Sequence, residues 1–300
     1  MTKKQILFIA CSLLVCLLSL FAVMPIQWAG IDESRWMTSL DDNTEVNGLA
    51  IPGTHDSGAT HSIADLSGKC QSLTIKEQLK LGVRFFDIRL KLKDDKLIVV
   101  HSFVEQGTDF EDVLSEMCDF LKENPGEFLF VSIKEDADPT GSSLDFTEQL
   151  EKMLKAQDCV SEGRDIPKTV GEARGKMHII ARYSKSTIGF PAYSGWKDST
   201  SFELDGIYVQ DKYRVDSAEE KIEEIKSCFE VANKGEHELV INFASCYYPD
   251  GFPPTYAGTP ALKINPWLIQ NLSQIKPQGV ILCDFITSEL CKTIIRSNFK

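Results

Sequence analysis

The chain has 300 residues and, past its N-terminus, no Pro/Gly/Ser-rich linker, no low-complexity run and no repeat of fixed period. One large domain is therefore a better reading than two, and it is long enough to bury a sizeable core. A formal net charge of −12 speaks against nucleic acid as a partner and against adhesion to an anionic membrane by charge alone. An anionic ligand has to be held by a local cluster of Arg and Lys, and the acidic surface fits a monomer.

The first 30 residues, MTKKQILFIACSLLVCLLSLFAVMPIQWAG, place Lys3 and Lys4 before an uncharged apolar run from Ile6 to Met24. That order is a basic region followed by an export or anchor segment, near the ~20 residues that span a bilayer. No small-x-small cleavage site stands out, since Leu20 precedes Ala22 and Gln27 precedes Ala29. Cleaved signal and uncleaved anchor both fit. Residues 1–30 are read as this segment and 37–300 as the folded domain, either secreted or anchored to the outer face of the cell membrane.

Past residue 40 the chain alternates short apolar runs with amphipathic stretches. Strands are expected at NGLAIPG, RFFDIRLKL, KLIVVHS, EFLFVSIKE, MHIIARY, GIYVQDKY, LVINFAS and GVILCDFI. Several are continuously apolar, as parallel strands buried on both faces should be. Helices are expected over 109–123, 143–156, 217–233 and 287–297, the third with Ser217 as N-cap and Glu219 and Glu220 in its first turn. Strands with interleaved helices predict an α/β fold, a single irregular TIM-type (β/α)8 barrel. The irregularity is expected after RFFDIRLKL, where the gap is too short for a helix. Seven cysteines follow the leader without any CxxC pair, which fits neither a disulfide scaffold nor a zinc site. Cys118, Cys228 and Cys283 read as small buried apolar residues.

His55, Arg89, His101, Lys134, Arg182, Asp211 and Asp284 all stand at the carboxyl ends of expected strands. Active sites of such barrels are built at that end. Two of only five histidines lie in this set, each with an acidic residue available to orient it. Two imidazoles can serve as general base and general acid, and an arginine can hold an anion between them. The set reads as equipment for moving a phosphoryl group without a metal.

The combination of IPGTHDSG (51–58), FFDIR, VVHS, SIKED, ARYS, VQDKY and a late CDF resembles phosphatidylinositol-specific phospholipase C of the bacterial type, from about residue 37 to 297. The resemblance implies a catalytic barrel that cleaves phosphatidylinositol in membranes to diacylglycerol and inositol 1,2-cyclic phosphate. It implies His55 as general base paired with Asp284, and His101 as general acid with Asp56 as its carboxylate partner. Asp87 is expected to support Arg89 or a histidine. Eukaryotic relatives hold calcium at the phosphate; here an Asp follows His55 and Arg89 stands where a metal ligand is expected, so no metal and no cofactor are expected. Family motifs point to Lys134, Arg182 and Asp211 for the inositol hydroxyls, with Tyr213 against the ring face. The acidic partner after Lys134 is read as Asp136 by position, with Glu135 one residue early.

Residues 245–260, SCYYPDGFPPTYAGTP, and 188–196, IGFPAYSGW, carry Tyr247, Tyr248, Phe252 and Tyr256, and Phe190, Tyr193 and Trp196. These rings either dip into a lipid interface or pack on the barrel and shape its pocket. Two other functions stay open: a metal-dependent phosphodiesterase acting on other lipid phosphodiesters, and a non-catalytic exported domain that binds inositol lipids or glycans. GPI-anchored proteins are a further possible substrate class, decided by whether the pocket admits a glycan on the inositol ring.

Overall fold

Apolar runs flanked by turn residues become strands. They are β1 (Ala50–Thr54), β2 (Phe85–Lys93), β3 (Lys96–His101), β4 (Val104–Asp109), β5 (Leu129–Glu135), β6 (Met177–Arg182), β7 (Phe190–Pro191), β8 (Ser201–Leu204), β9 (Ile207–Gln210), β10 (Leu239–Phe243) and β11 (Gly279–Cys283). The structure, a computed structural model, describes residues 30–61, 68–251 and 256–299. Every residue of β1, β6, β10 and β11 is buried, which parallel strands require when helices cover one face and barrel core the other.

All the strands form one sheet, ordered β7-β6-β5-β2-β1-β11-β10-β9-β8, with β3 and β4 attached to β2 off this path. The row from β6 to β9 is parallel throughout. It curls into a TIM-type barrel that stays open where the end strands β7 and β8 are not paired. The expected irregularity has a local cause. Asp94 and Asp95 both take positive φ (49° and 61°), making a two-residue turn that folds β3 back antiparallel onto β2. KLIVVHS is thus a hairpin arm beside the barrel, not one of its parallel staves.

The helices are α1 (Ile75–Leu81), α2 (Phe110–Glu123), α3 (Phe146–Lys155), α4 (Val170–Ala173), α5 (Ala218–Ala232), α6 (Gly258–Ile275) and α7 (Ser288–Arg296). All four expected helices are present, and Ser217 caps α5 by accepting from the Glu220 N–H. The short α1 is held by a capping box between Thr74 and Glu77. Under the amino ends of the strands, the fully buried Arg84 donates through Nε to Glu127 at 2.8 Å, and Glu127 also accepts from the Thr38 N–H at 2.7 Å. That end of the barrel is closed by satisfied charge.

Cys118 does not stay a buried apolar thiol. It is bonded to Cys159, with the two Cα atoms 5.7 Å apart, and ties α2 to the segment after α3. Cys228 and Cys283 are free and buried, as expected. Among the described residues no helix is long and apolar enough to cross a membrane. The run from Ile6 to Met24 lies outside them.

Candidate active site

β1 and β11 lie side by side in register, Thr54 opposite Cys283, so the next residue of each chain emerges at the same level. These are His55 and Asp284. His55 Nδ1 is 2.8 Å from Asp284 Oδ1, with the carboxylate almost wholly buried. An ionised carboxylate accepts, so Nδ1 carries the proton and Nε2 keeps its lone pair. Arg89 Nη2 donates to that Nε2 at 2.8 Å. Burial alone lowers the His55 pKa, but the charge and hydrogen bond of Asp284 outweigh it, and the pKa lies above its ordinary value. Gln71 braces the pair from below. Its Nε2 donates to the carbonyls of His55 (2.8 Å) and Cys283 (2.9 Å) at once.

Arg89 extends from β2 between His55, Asp87 and Asp56. Its guanidinium donates to Asp87 Oδ2 at 3.2 and 3.3 Å, and its Nε stands 3.5 Å from Asp56 Oδ2. Asp87, fully buried, is gripped from several sides: Arg182 Nη1 donates to Oδ1 at 3.2 Å and the Asp56 N–H to Oδ2 at 3.2 Å. Burial raises its pKa, yet Arg89 and Arg182 pull it far below the usual carboxylate range. His101 closes the other side from the end of β3, its Nε2 3.6 Å from Asp56 Oδ2. Asp56 adopts a left-handed φ of 42°, and burial raises its pKa against the opposing charges of Arg89 and His101.

The strand register also explains a row of cations. Arg89 on β2 pairs with Lys134 on β5, and Lys134 with Arg182 on β6. Residues in register on parallel strands share a face, so three positive side chains line one wall of a barrel of net negative charge. Asp136 takes the acidic place after Lys134: it accepts from Lys134 Nζ and, at 2.7 Å, from the Ser102 N–H. Glu135 lines the same pocket. Asp211 follows β9 and accepts from the Trp196 indole N–H at 3.0 Å. Tyr213 donates to Asp198, and burial with that bond pushes its pKa up to about 12. All of these side chains except Asp136 border one cavity of about 600 Å³, with His55, Arg89, His101 and Asp284 at its floor.

Trp196 is not an outward ring. The Arg182 guanidinium stacks on its face at 3.8 Å, so it forms pocket wall between Arg182 and Asp211. Tyr247 and Tyr256 are half-buried against Tyr213 and Phe285 respectively, and Tyr248 is half-buried beside them in sequence. Phe252 lies outside the described residues. The rings that do stand out at the pocket mouth are Phe103, 79% exposed, and Tyr193, 56% exposed. Phe103 carried no sequence signal beyond its place after His101.

Residues 50–183 match the family model for phosphatidylinositol-specific phospholipase C, X domain. The matched X-domain span runs from β1 to just past β6 and holds His55, Asp56, Asp87, Arg89, His101, Lys134, Asp136 and Arg182. Asp211, Tyr213 and Asp284 come from the second half of the barrel. Similarity continues there. The chain is 26% identical over 280 residues to a 1-phosphatidylinositol phosphodiesterase of Listeria monocytogenes, covering 89% of this chain and 86% of that one. A Staphylococcus aureus protein of the same name is 29% identical over 237 residues, 70% of this chain and 74% of its own. In fold, the chain superposes on a phosphatidylinositol-specific phospholipase C from S. aureus with a TM-score of 0.78 at 24% identity, covering 89% of this chain and 97% of that one. The Listeria monocytogenes enzyme structure gives 0.71 at 23% identity, covering 89% and 99%.

Proposed function

We propose that this chain cleaves phosphatidylinositol in membranes to diacylglycerol and inositol 1,2-cyclic phosphate, with His55 as base, His101 as acid and Arg89 as the counter-charge for the phosphate. One observation carries this reading: two histidine–carboxylate pairs flank a single guanidinium on the floor of one cavity. A pure binding site for inositol needs neither pair.

The chemistry follows from the contacts. The inositol 2-hydroxyl lies beside the phosphate, so the nucleophile needs only to lose its proton. With Nδ1–H committed to Asp284, His55 Nε2 takes that proton. To reach it the hydroxyl replaces Arg89 Nη2 at the lone pair, and the guanidinium turns to the phosphoryl oxygens, where its fork of donors neutralises developing charge. His101 protonates the departing diacylglycerol oxygen, and Asp56 steadies its cationic form. Each acid–base role is typically worth about 10²–10⁴ in rate. Lys134, Asp136, Arg182 and Asp211 hydrogen-bond the inositol hydroxyls, and Tyr213 packs on the ring. The reaction so written needs no metal. The basic-then-apolar leader supports export or anchoring at the outer face of the cell membrane, the acidic surface supports a monomer, and GPI-anchored proteins are a further substrate class to assay.

The test is phosphatidylinositol cleavage in EDTA beside His55→Ala, with products followed by phosphorus NMR. Cyclic inositol phosphate made by wild type in chelator, and not by the variant, is the expected result. Turnover that appears only when calcium is added would shift the reading to a metal-dependent phosphodiesterase. No turnover in either condition would favour a binding domain.

A further inference from the structure

The base–acid mechanism does not use Cys70. Its side chain packs on the pocket floor against Ala59, Ala257 and Phe285 and is 2% exposed. The thiol stands between the two histidine–carboxylate pairs. Its Sγ, a His55 nitrogen and an Asp284 oxygen lie within 4.8 Å of one another, and so do its Sγ, a His101 nitrogen and an Asp56 oxygen. The second set carries an independent mark. Asp56 is fully buried, yet among the described residues neither of its carboxylate oxygens accepts a hydrogen bond, and His101 Nδ1 is likewise buried without a partner. Buried polar atoms are normally satisfied. A cation at this point would take one Asp56 oxygen and one His101 nitrogen.

We infer that Asp56, Cys70 and His101 form a binding site for a thiophilic cation such as Zn²⁺, and that its occupancy blocks turnover. Thiolate, imidazole and carboxylate are the three zinc ligand types, and a fourth position is left for water or a phosphoryl oxygen. Tetrahedral ligands about 2.0–2.3 Å from zinc stand about 3.5 Å apart, so these donors close in by an ångström or so, within reach of side-chain rotation. Arg89 works against any cation here, with its Nε 3.5 Å from Asp56 Oδ2. That repulsion disfavours hard ions held by charge alone, such as Mg²⁺ and Ca²⁺, and leaves selection to the sulfur–metal bond. On binding, the S–H bond breaks, the sulfur pair forms the S–Zn bond and the proton passes to water; nothing is oxidised. Burial, then the nearby Asp284 charge, push the Cys70 thiol well above its ordinary pKa. Alkylating reagents, which need an exposed thiolate, are therefore poor rivals for a small soft cation. Blocking rests on the function proposed above, because the ion would engage the acid His101 and its partner; binding does not.

The test titrates the EDTA-stripped full chain with Co²⁺ and then Zn²⁺, beside Cys70→Ser and Cys246→Ser. Cys246 borders the same cavity but belongs to neither three-donor set. Co²⁺ is expected to develop a near-ultraviolet thiolate charge-transfer band that Zn²⁺ displaces, lost in Cys70→Ser and kept in Cys246→Ser. Phosphatidylinositol turnover is expected to be inhibited by Zn²⁺ and not by Mg²⁺. Cys70→Ser should weaken that inhibition by more than the roughly tenfold that loss of an outer-shell partner costs. No band in wild type, or a band that survives Cys70→Ser, overturns the site. Should Cys70→Ser not fold, Cys70→Ala takes its place with the same criteria. A band without inhibition in a protein that cleaves lipid overturns the blocking step alone. A Cys70-dependent band in a protein with no lipid turnover keeps the site and counts against the proposed function.

Discussion

The two histidine–carboxylate pairs are built on different supports. His55 and Asp284 emerge from neighbouring parallel strands whose residues are all buried, 2.8 Å apart, with Gln71 bonding both strand ends. His101 ends one arm of a hairpin beside the barrel, 3.6 Å from Asp56, with no hydrogen-bond partner for Nδ1 among the described residues. A proton acceptor that meets a fixed hydroxyl gains from being held rigidly, since its lone pair must point at one atom. A proton donor to a flexible diacylglycerol oxygen meets a less fixed target. On the proposed function, the barrel supplies the preorganised half of the reaction and the hairpin the adjustable half.

Leaving-group chemistry tests this contrast most strongly. On phosphatidylinositol, His55→Ala and His101→Ala should each lose about 10²–10⁴ in kcat. With an aryl leaving group that departs as a stable anion, His101→Ala should recover most of its deficit and His55→Ala none. Equal behaviour of the two variants on the aryl ester would mean that the roles are misassigned. Next in size is Arg89→Lys. A point charge replaces the fork that reaches Asp87, Asp56 and His55. A loss of about 10²–10³ in kcat is expected, the range for removing a transition-state donor, with a smaller change in KM.

The pH profile separates the pairs again. Burial alone would lower the His55 pKa, and Asp284 raises it above the ordinary value. A base works only when neutral, so kcat/KM rises with pH through that pKa. Asp284→Asn removes the raising charge and leaves the burial. The acidic limb should therefore move to lower pH while the maximal rate falls. Asp56→Asn, one pair away, should leave that limb much closer to wild type. A limb unmoved in Asp284→Asn would assign it to another group.

What could be read from the sequence follows the same division. His55, Arg89, Lys134, Arg182 and Asp284 were legible because apolar runs fix strand ends and a parallel barrel gathers those ends. The hairpin was legible only as a gap too short for a helix; its geometry comes from Asp94 and Asp95 at positive φ. Gln71, Cys70 and Asp198 were not legible. Each reaches the site from a connecting segment, and no periodicity says where such a side chain points. Trp196 shows the same limit: its aromatic loop left lipid contact and pocket wall both open, and Arg182 and Asp211 draw the ring into the wall. The Cys118–Cys159 bond also had no spacing signal, since it joins α2 to a segment 41 residues on.

The hairpin also carries the smallest effect expected here. At the far end of β3, Ser102 and Phe103 form the two-residue turn into β4, between the paired His101 and Val104, with Ser102 at φ 55°. Phe103 is 79% exposed beside the cavity mouth, where it gains nothing from the protein interior. On the proposed function, an apolar ring at this entrance is placed to enter the acyl boundary, and full burial of such a side chain is worth about 1.5–3 kcal/mol. Partial insertion should thus make Phe103→Ser bind phosphatidylinositol vesicles about tenfold more weakly. Hydrolysis of a soluble, single-molecule inositol ester should hardly change. A matching loss on the soluble substrate would instead mean that Phe103 sets the posture of His101. The flexible half of the site would then be governed by its own turn rather than by the membrane.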